Sequence, residues 1–141
     1  MAKMPAEAVE VINRNALVTI ALHQGYVAYL PVYDPGIDLI LLNEATNDLK
    51  RVQQKGRWTI NKKYLDRQIW VAFPDRGIWY VVPHDEVLLK FSEQKGYTNT
   101  DSWTKGEYSY APLSKEMLAL LEPYRFGDPE KVMEEAEGQG R

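Results

Sequence analysis

Gly36-Ile37-Asp38-Leu39-Ile40-Leu41-Leu42-Asn43, followed after a short polar segment by Leu49-Lys50-Arg51-Val52-Gln53-Gln54-Lys55-Gly56-Arg57, is the stretch that decides the fold. Each half is an apolar run of strand length, and Asn43 to Asp48 between them is rich in turn-forming residues, so the two read as an antiparallel hairpin. A hairpin brings its open ends side by side, which sets Asp38 near Gln53 and Lys55. Alternation along the second run puts Leu49, Arg51, Gln53 and Lys55 on one face and Lys50, Val52 and Gln54 on the other. Asp38 shares a face with Ile40 and Leu42. Whether it meets Gln53 and Lys55 depends on the pairing register, which alternation alone leaves open.

An acid entering a Leu/Ile-rich strand is uncommon unless it is put to use, although Asp38 could also cap the Asp34-Pro35-Gly36 turn. Lys55 could equally guard an exposed strand edge. Together they form a pair suited to phosphodiester chemistry, in which a carboxylate holds a metal ion and a lysine steers a water.

Outward from the hairpin, Pro5 to Gln24 has the apolar spacing of an amphipathic helix, with Val9, Ile12, Leu17, Ile20 and Ala21 on its inner side and Gly25 as its stop. Five extended segments are expected: Tyr26 to Val32, Ile37 to Asn43, Leu49 to Lys55, Gln68 to Phe73 and Ile78 to Val82. Turn signals at Asp34-Pro35-Gly36 and Pro74-Asp75-Arg76-Gly77 separate several of them. Pro83 closes the last, and His84 or Asp85 could cap a short helix that stops at Gly96. Tyr97 to Pro112 reads as a long loop or small hairpin, and Ser114 as the N-cap of a helix through Glu122. No internal repeat is visible, and the fold class is α/β in the α+β sense, a mixed sheet with helices. Residues 1–127 are expected to form one domain, and residues 128–141 an acidic, flexible tail or an isolated solvent helix.

Composition narrows the chemistry. The 141 residues carry a formal net charge of −3, 45% apolar and 26% charged residues and no cysteine, ordinary values for a globular chain and incompatible with disulfide or thiolate chemistry. No apolar run approaches the roughly 20 residues of a membrane span, and a cytoplasmic protein is the expectation. The net charge hides a segregation. Residues 128–141 hold five acids against Lys131 and Arg141, which leaves the rest neutral overall. Lys50, Arg51, Lys55, Arg57, Lys62, Lys63 and Arg67 stand against Asp66 alone between positions 50 and 67. Such a run is either a set of solvated strand and loop charges or a surface for several phosphates.

Other motifs are missing: no Gly-x-Ser-x-Gly elbow, no Gly-x-x-x-x-Gly-Lys loop and no Gly-x-Gly-x-x-Gly fingerprint, so serine hydrolases, nucleotide hydrolases and dinucleotide enzymes are not expected. His23 and His84 have no partner at metal-ligand spacing, which argues against zinc. Trp58 and Tyr64 lie among cations and could stack on bases, but aromatics in a chain of this size more often fill the core, the role also read for Trp70, Trp79, Tyr80 and Trp103.

The order helix, Gly25-Tyr26, Pro31, Gly36-Ile37-Asp38, Val52-Gln53-Gln54-Lys55 and Trp79-Tyr80-Val81-Val82-Pro83 resembles the restriction-endonuclease-like PD-(D/E)XK nucleases over about Pro5 to Val87. Within them it is most similar to the small Holliday-junction-resolvase-like proteins and group I intron homing endonucleases, some of which carry Gln-X-Lys. The resemblance implies a central mixed sheet of about five strands flanked by helices, and a Mg²⁺- or Mn²⁺-dependent phosphodiesterase acting on DNA. On that reading Asp38 ligates a weakly bound metal, the main-chain carbonyl of Gln54 adds a ligand, Gln53 stands at the second acidic position and Lys55 positions water or offsets phosphate charge. Glu10 would be the acid from the first helix. The basic segment would hold DNA, and a homodimer is expected because cutting both strands takes two sites. A neutral Gln53 weakens divalent-cation affinity, so a binding protein that has lost cutting stands beside the enzyme. The acidic charge and Glu-rich tail also leave open a protein-interaction module.

Overall fold

A computed structural model describes residues 3–95 and 106–139. The first helix, α1 (Ala6–His23), ends as its sequence dictates. Gly25 takes a φ of +89°, and the amides of Gly25 and Tyr26 turn back to the carbonyls of Leu22 and Ala21 at 3.1 and 3.0 Å, which satisfies the last turn.

All five expected strands form: β1 (Val27–Tyr29), β2 (Leu39–Asn43), β3 (Asp48–Gln54), β5 (Ile69–Asp75) and β6 (Ile78–Pro83). They lie side by side in that order, and a sixth strand, β8 (Arg125–Gly127), adds to β6. Every neighbouring pair is antiparallel except β3 and β5, which run parallel, so the sheet is mixed as the sequence implied. A parallel pair needs a crossover. Here it contains β4 (Trp58–Asn61), which leaves the main sheet and pairs with β7 (Glu107–Tyr110). The Tyr97 to Pro112 segment is therefore not a hairpin on itself where it is described. Trp103 lies outside the described residues.

Sheet alternation divides the core in two. On one face Leu17, Ile20 and Ala21 of α1 cover Leu39, Leu41, Val52, Ala72, Trp79 and Val81. On the other, Val71, Phe73, Tyr80 and Val82 meet Trp58, Ile60 and Tyr64, together with α2 (His84–Lys95) and α3 (Lys115–Leu121). Strands β5 and β6 are thus buried on both sides, which is why they read as unbroken apolar runs. Ser114 caps α3, its hydroxyl accepting from the Met117 amide at 3.3 Å.

The acidic C-terminal segment differs from a loose tail. Asp128 caps a last helix, α4 (Pro129–Gln139), accepting from the Glu130 amide at 2.9 Å. Val132 then packs on the α1 side of the core. Two adjacent large apolar residues, Val132 and Met133, in a Glu-rich run were too weak a pattern to reveal that contact. Among the described residues no helix is long and apolar enough to cross a membrane.

Candidate active site

The hairpin register fixes what alternation left open. Leu39 stands opposite Val52, so Asp38 is one step further and lies beside Gln53. The Asp38 amide donates to the Val52 carbonyl at 2.8 Å, extending the ladder by one bond. Leu39, Leu41 and Val52 face α1, so Asp38, Gln53 and Lys55 belong to the opposite face. Lys55 bears this out: its ammonium lies over the ring of Tyr64, 5.9 Å from the centroid, on the core opposite α1.

Asp38 is held from the next strand. Its Oδ2 accepts from the Gln54 amide at 2.8 Å, while the Lys55 amide points the other way and donates to the Ala72 carbonyl of β5 at 2.8 Å. The end of β3 thus ties the acid to the middle of the sheet. Gln54 turns its side chain to α1, where Nε2 donates to the Glu10 carbonyl at 3.0 Å. That bridge brings Glu10 to the site and forms a shared wall between two clefts. One, of about 250 Å³, is lined by Glu10, Arg14, Asp34, Asp38 and Gln54, with Leu30 and Pro31 as its apolar side. The other, of about 330 Å³, runs from Glu10 and Asn13 to Gln53, Lys55 and Gly56.

Electrostatics follow from this crowding. Burial pushes the Asp38 carboxyl above its ordinary value; the Gln54 amide opposes the rise, the nearby charges of Asp34 and Glu10 add to it, and Lys55 draws it back. Asp34 and Arg14 escaped the sequence reading. Asp34 sits in an Asp-Pro-Gly turn, where its Oδ1 accepts from the Gly36 and Ile37 amides at 2.8 and 2.6 Å, so its sequence signature is that of a turn. Arg14 lies one helical turn beyond Glu10, a spacing that would have pointed to it had Glu10 been fixed first.

The basic segment does not act as one surface. The Lys50 ammonium is engaged by Asp48 and lies over the Trp70 ring at 4.2 Å, on the α1 face, away from Gln53 and Lys55. The Arg67 guanidinium donates to the Pro35 carbonyl and presses on Gly36, clamping the loop that leads into Asp38. Arg51 shares the Gln53 face and is exposed, as are Arg57, Lys62 and Lys63, and the Lys63 ammonium lies 5.4 Å from the Tyr64 centroid. Trp58 and Tyr64 are fully buried core residues, and Trp79 and Tyr80 are buried as well. Among the described residues the buried Tyr64 hydroxyl has no hydrogen-bond partner. His84 is also structural: Nε2 accepts from the Asn61 amide at 3.0 Å and Nδ1 contacts Asp85 Oδ1 at 2.8 Å.

Asp38, Asp34 and Glu10 bring carboxylates to the cleft, the oxygen chemistry that a hard divalent cation takes, beside the Arg14 guanidinium. Among the described residues no three acidic or histidine side chains converge closely enough to hold an ion between them. Mg²⁺ is commonly held by one or two carboxylates with waters filling its shell, and Asp38 with the Gln54 carbonyl and either Asp34 or Glu10 fits that pattern.

No protein-family model matches the chain, and no curated protein matches it. Among solved structures the chain is similar to a bacterial homing endonuclease, I-Ssp6803I, with a TM-score of 0.47 and 15% sequence identity over 80% of each chain.

Proposed function

We propose that the protein is a metal-dependent endonuclease of the PD-(D/E)XK type that hydrolyses phosphodiester bonds of DNA. The observation that carries this reading is the register that sets Asp38 beside Gln53, with Lys55 on the same face and the Gln54 amide on the Asp38 carboxylate. Asp38 and the Gln54 carbonyl would hold Mg²⁺ or Mn²⁺, aided by Glu10 or Asp34, and the bound cation supplies Lewis acidity at the scissile phosphate. Asp38 presents one carboxylate oxygen while the main chain of β3 fixes the other. Lys55, extended over Tyr64, orients water or offsets charge on the phosphate oxygens. Arg51, Arg57, Lys62 and Lys63 are exposed cations that would meet the DNA backbone.

The test is relaxation and linearisation of supercoiled plasmid in Mg²⁺ and Mn²⁺ by the wild-type, Asp38→Ala and Lys55→Ala proteins. Cutting confined to the wild type supports the roles; cutting that survives both substitutions removes them. A second reading is a DNA-binding protein that no longer cuts, favoured by the neutral Gln53 and the absence of three converging acids among the described residues. It is marked by salt-sensitive DNA retention without metal-dependent nicking.

A further inference from the structure

Arg14 stands partly buried on the wall of the Asp38 cleft, among the three acidic residues Glu10, Asp34 and Asp38. A glutamate four residues before an arginine is the favourable order for an ion pair on a helix, yet Glu10 and Arg14 of α1 form none. Among the described residues ion pairs join Lys50 to Asp48, Arg76 to Asp75 and His84 to Asp85, and the Arg14 side chain takes part neither in these nor in any hydrogen bond. The nearby acids are turned to other partners: Asp34 Oδ1 accepts from the Gly36 and Ile37 amides, and Asp38 Oδ2 from the Gln54 amide. All the N–H donors of the guanidinium are therefore free in a cleft that partly excludes water.

We propose that Arg14 is the phosphate-binding residue of this cleft, its guanidinium taking two oxygens of a DNA backbone phosphate once the acids around it are neutralised by the bound divalent cation. The inference rests on the endonuclease reading for that cation. A guanidinium is a planar fork of donors matched to the two free oxygens of a phosphodiester, and the pairing strengthens where water is kept away. Leu30 and Pro31 give the cleft an apolar side, against which the sugar beside the phosphate can lie, so a nucleic-acid strand fits better than a free inorganic anion. Without a cation Glu10, Asp34 and Asp38 repel any phosphate, and the two ligands are therefore coupled. The Gln54 side chain, bonded to the Glu10 carbonyl, separates Arg14 from Lys55, which lines the neighbouring cleft. The two cations stand on opposite sides of one bridge, placed to hold two phosphates of one strand: Lys55 the one that is cut, Arg14 one beside it.

Anisotropy of a fluorescein-labelled DNA duplex, titrated with the full chain in Ca²⁺ over a series of potassium chloride concentrations, reads the contact without requiring turnover. Ca²⁺ serves as a hard, oxygen-seeking substitute for Mg²⁺. Arg14→Gln strands no partner; it is expected to melt with the wild type, to bind roughly tenfold more weakly and to reduce the slope of log Kd against log salt by about 0.9, the share of one phosphate. Arg14→Lys is expected to restore the slope, because the charge returns, but only part of the affinity, because the fork does not. Arg125→Gln, which removes an exposed cation on β8, is expected to change neither. In EDTA the wild type and Arg14→Gln are expected to bind alike. The proposal is overturned by a wild type that does not bind the duplex, or by an Arg14→Gln protein that matches it in Ca²⁺. It is also overturned by an equal loss in EDTA or in Arg125→Gln, or by an Arg14→Lys protein whose slope stays low. Plasmid nicking by the wild type alongside any of these leaves the endonuclease reading standing, whereas the expected slopes in a wild type that nicks nothing keep Arg14 as a phosphate ligand and remove the cutting.

Discussion

The Asp38 carboxylate is gripped by the main chain of the neighbouring strand: its Oδ2 accepts from the Gln54 amide at 2.8 Å. The bond requires an oxygen at this position but not a charge, so structure and chemistry can be separated there. Asp38→Asn keeps an acceptor for the amide and is expected to melt within about 1 kcal/mol of the wild type, while metal-dependent cutting disappears. Asp38→Ala strands the Gln54 amide and is expected to cost about 1–3 kcal/mol as well. Urea unfolding beside a plasmid assay reads both.

Gln53 is the neutral member of the face it shares with Asp38 and Lys55. Gln53→Glu adds the charge that a divalent cation lacks there, and is expected to tighten Mn²⁺ binding several-fold in calorimetry and to raise the rate of nicking. Unchanged Mn²⁺ affinity would separate Gln53 from the metal position.

Cutting should rise with pH as Asp38 ionises, with an acid limb above the ordinary carboxyl value of 3.8, because burial raises this group in the fold. Replacing Asp34 by Asn removes a nearby negative charge and should move that limb to lower pH in the rate profile. The sign for stability is the reverse of that for activity. A carboxyl raised in the folded state favours the protonated fold, so its contribution is complete below 3.8 and is lost as pH rises through the raised value.

His84 works in the opposite sense. Burial lowers its pKa below 6.5 despite the Asp85 contact. Its contribution to stability is complete above 6.5 and falls as pH drops from there through the lowered value. Urea midpoints at successive pH values should show this slope, and His84→Gln should flatten it.

The buried Tyr64 hydroxyl has no hydrogen-bond partner among the described residues, so Tyr64→Phe keeps the ring under Lys55 and Lys63 and removes an unsatisfied group. The variant is expected to be more stable by about 1 kcal/mol in thermal melts, whereas Tyr64→Leu should be destabilised through lost packing.

The sequence announced the hairpin, the five strands of the main sheet, both outer helices of the Pro5 to Glu122 span and the shared face of Gln53 and Lys55. These follow from local periodicity and turn chemistry, which neighbouring residues carry. Features that depend on distant partners were hidden. Trp58 to Asn61 was not read as a strand because its partner, Glu107 to Tyr110, lies far along the chain. Asp34 was masked by its turn, and α4 by its polar composition. The charge count overstated the run of exposed cations because counting cannot distinguish Lys50, engaged by Asp48 over Trp70, from an exposed Lys63.

The crossover between β3 and β5 also orders events in time. The bond between Asp38 and Gln54 closes within a local hairpin, whose formation takes microseconds. The amide of Lys55 finds the Ala72 carbonyl only after the chain has travelled through β4 and returned, a non-local contact that must first meet the entropy of closing that loop. The carboxylate is therefore clamped before the lysine beside it is fixed. A folding chain holds half of the site early, and completes it only when the parallel strand arrives.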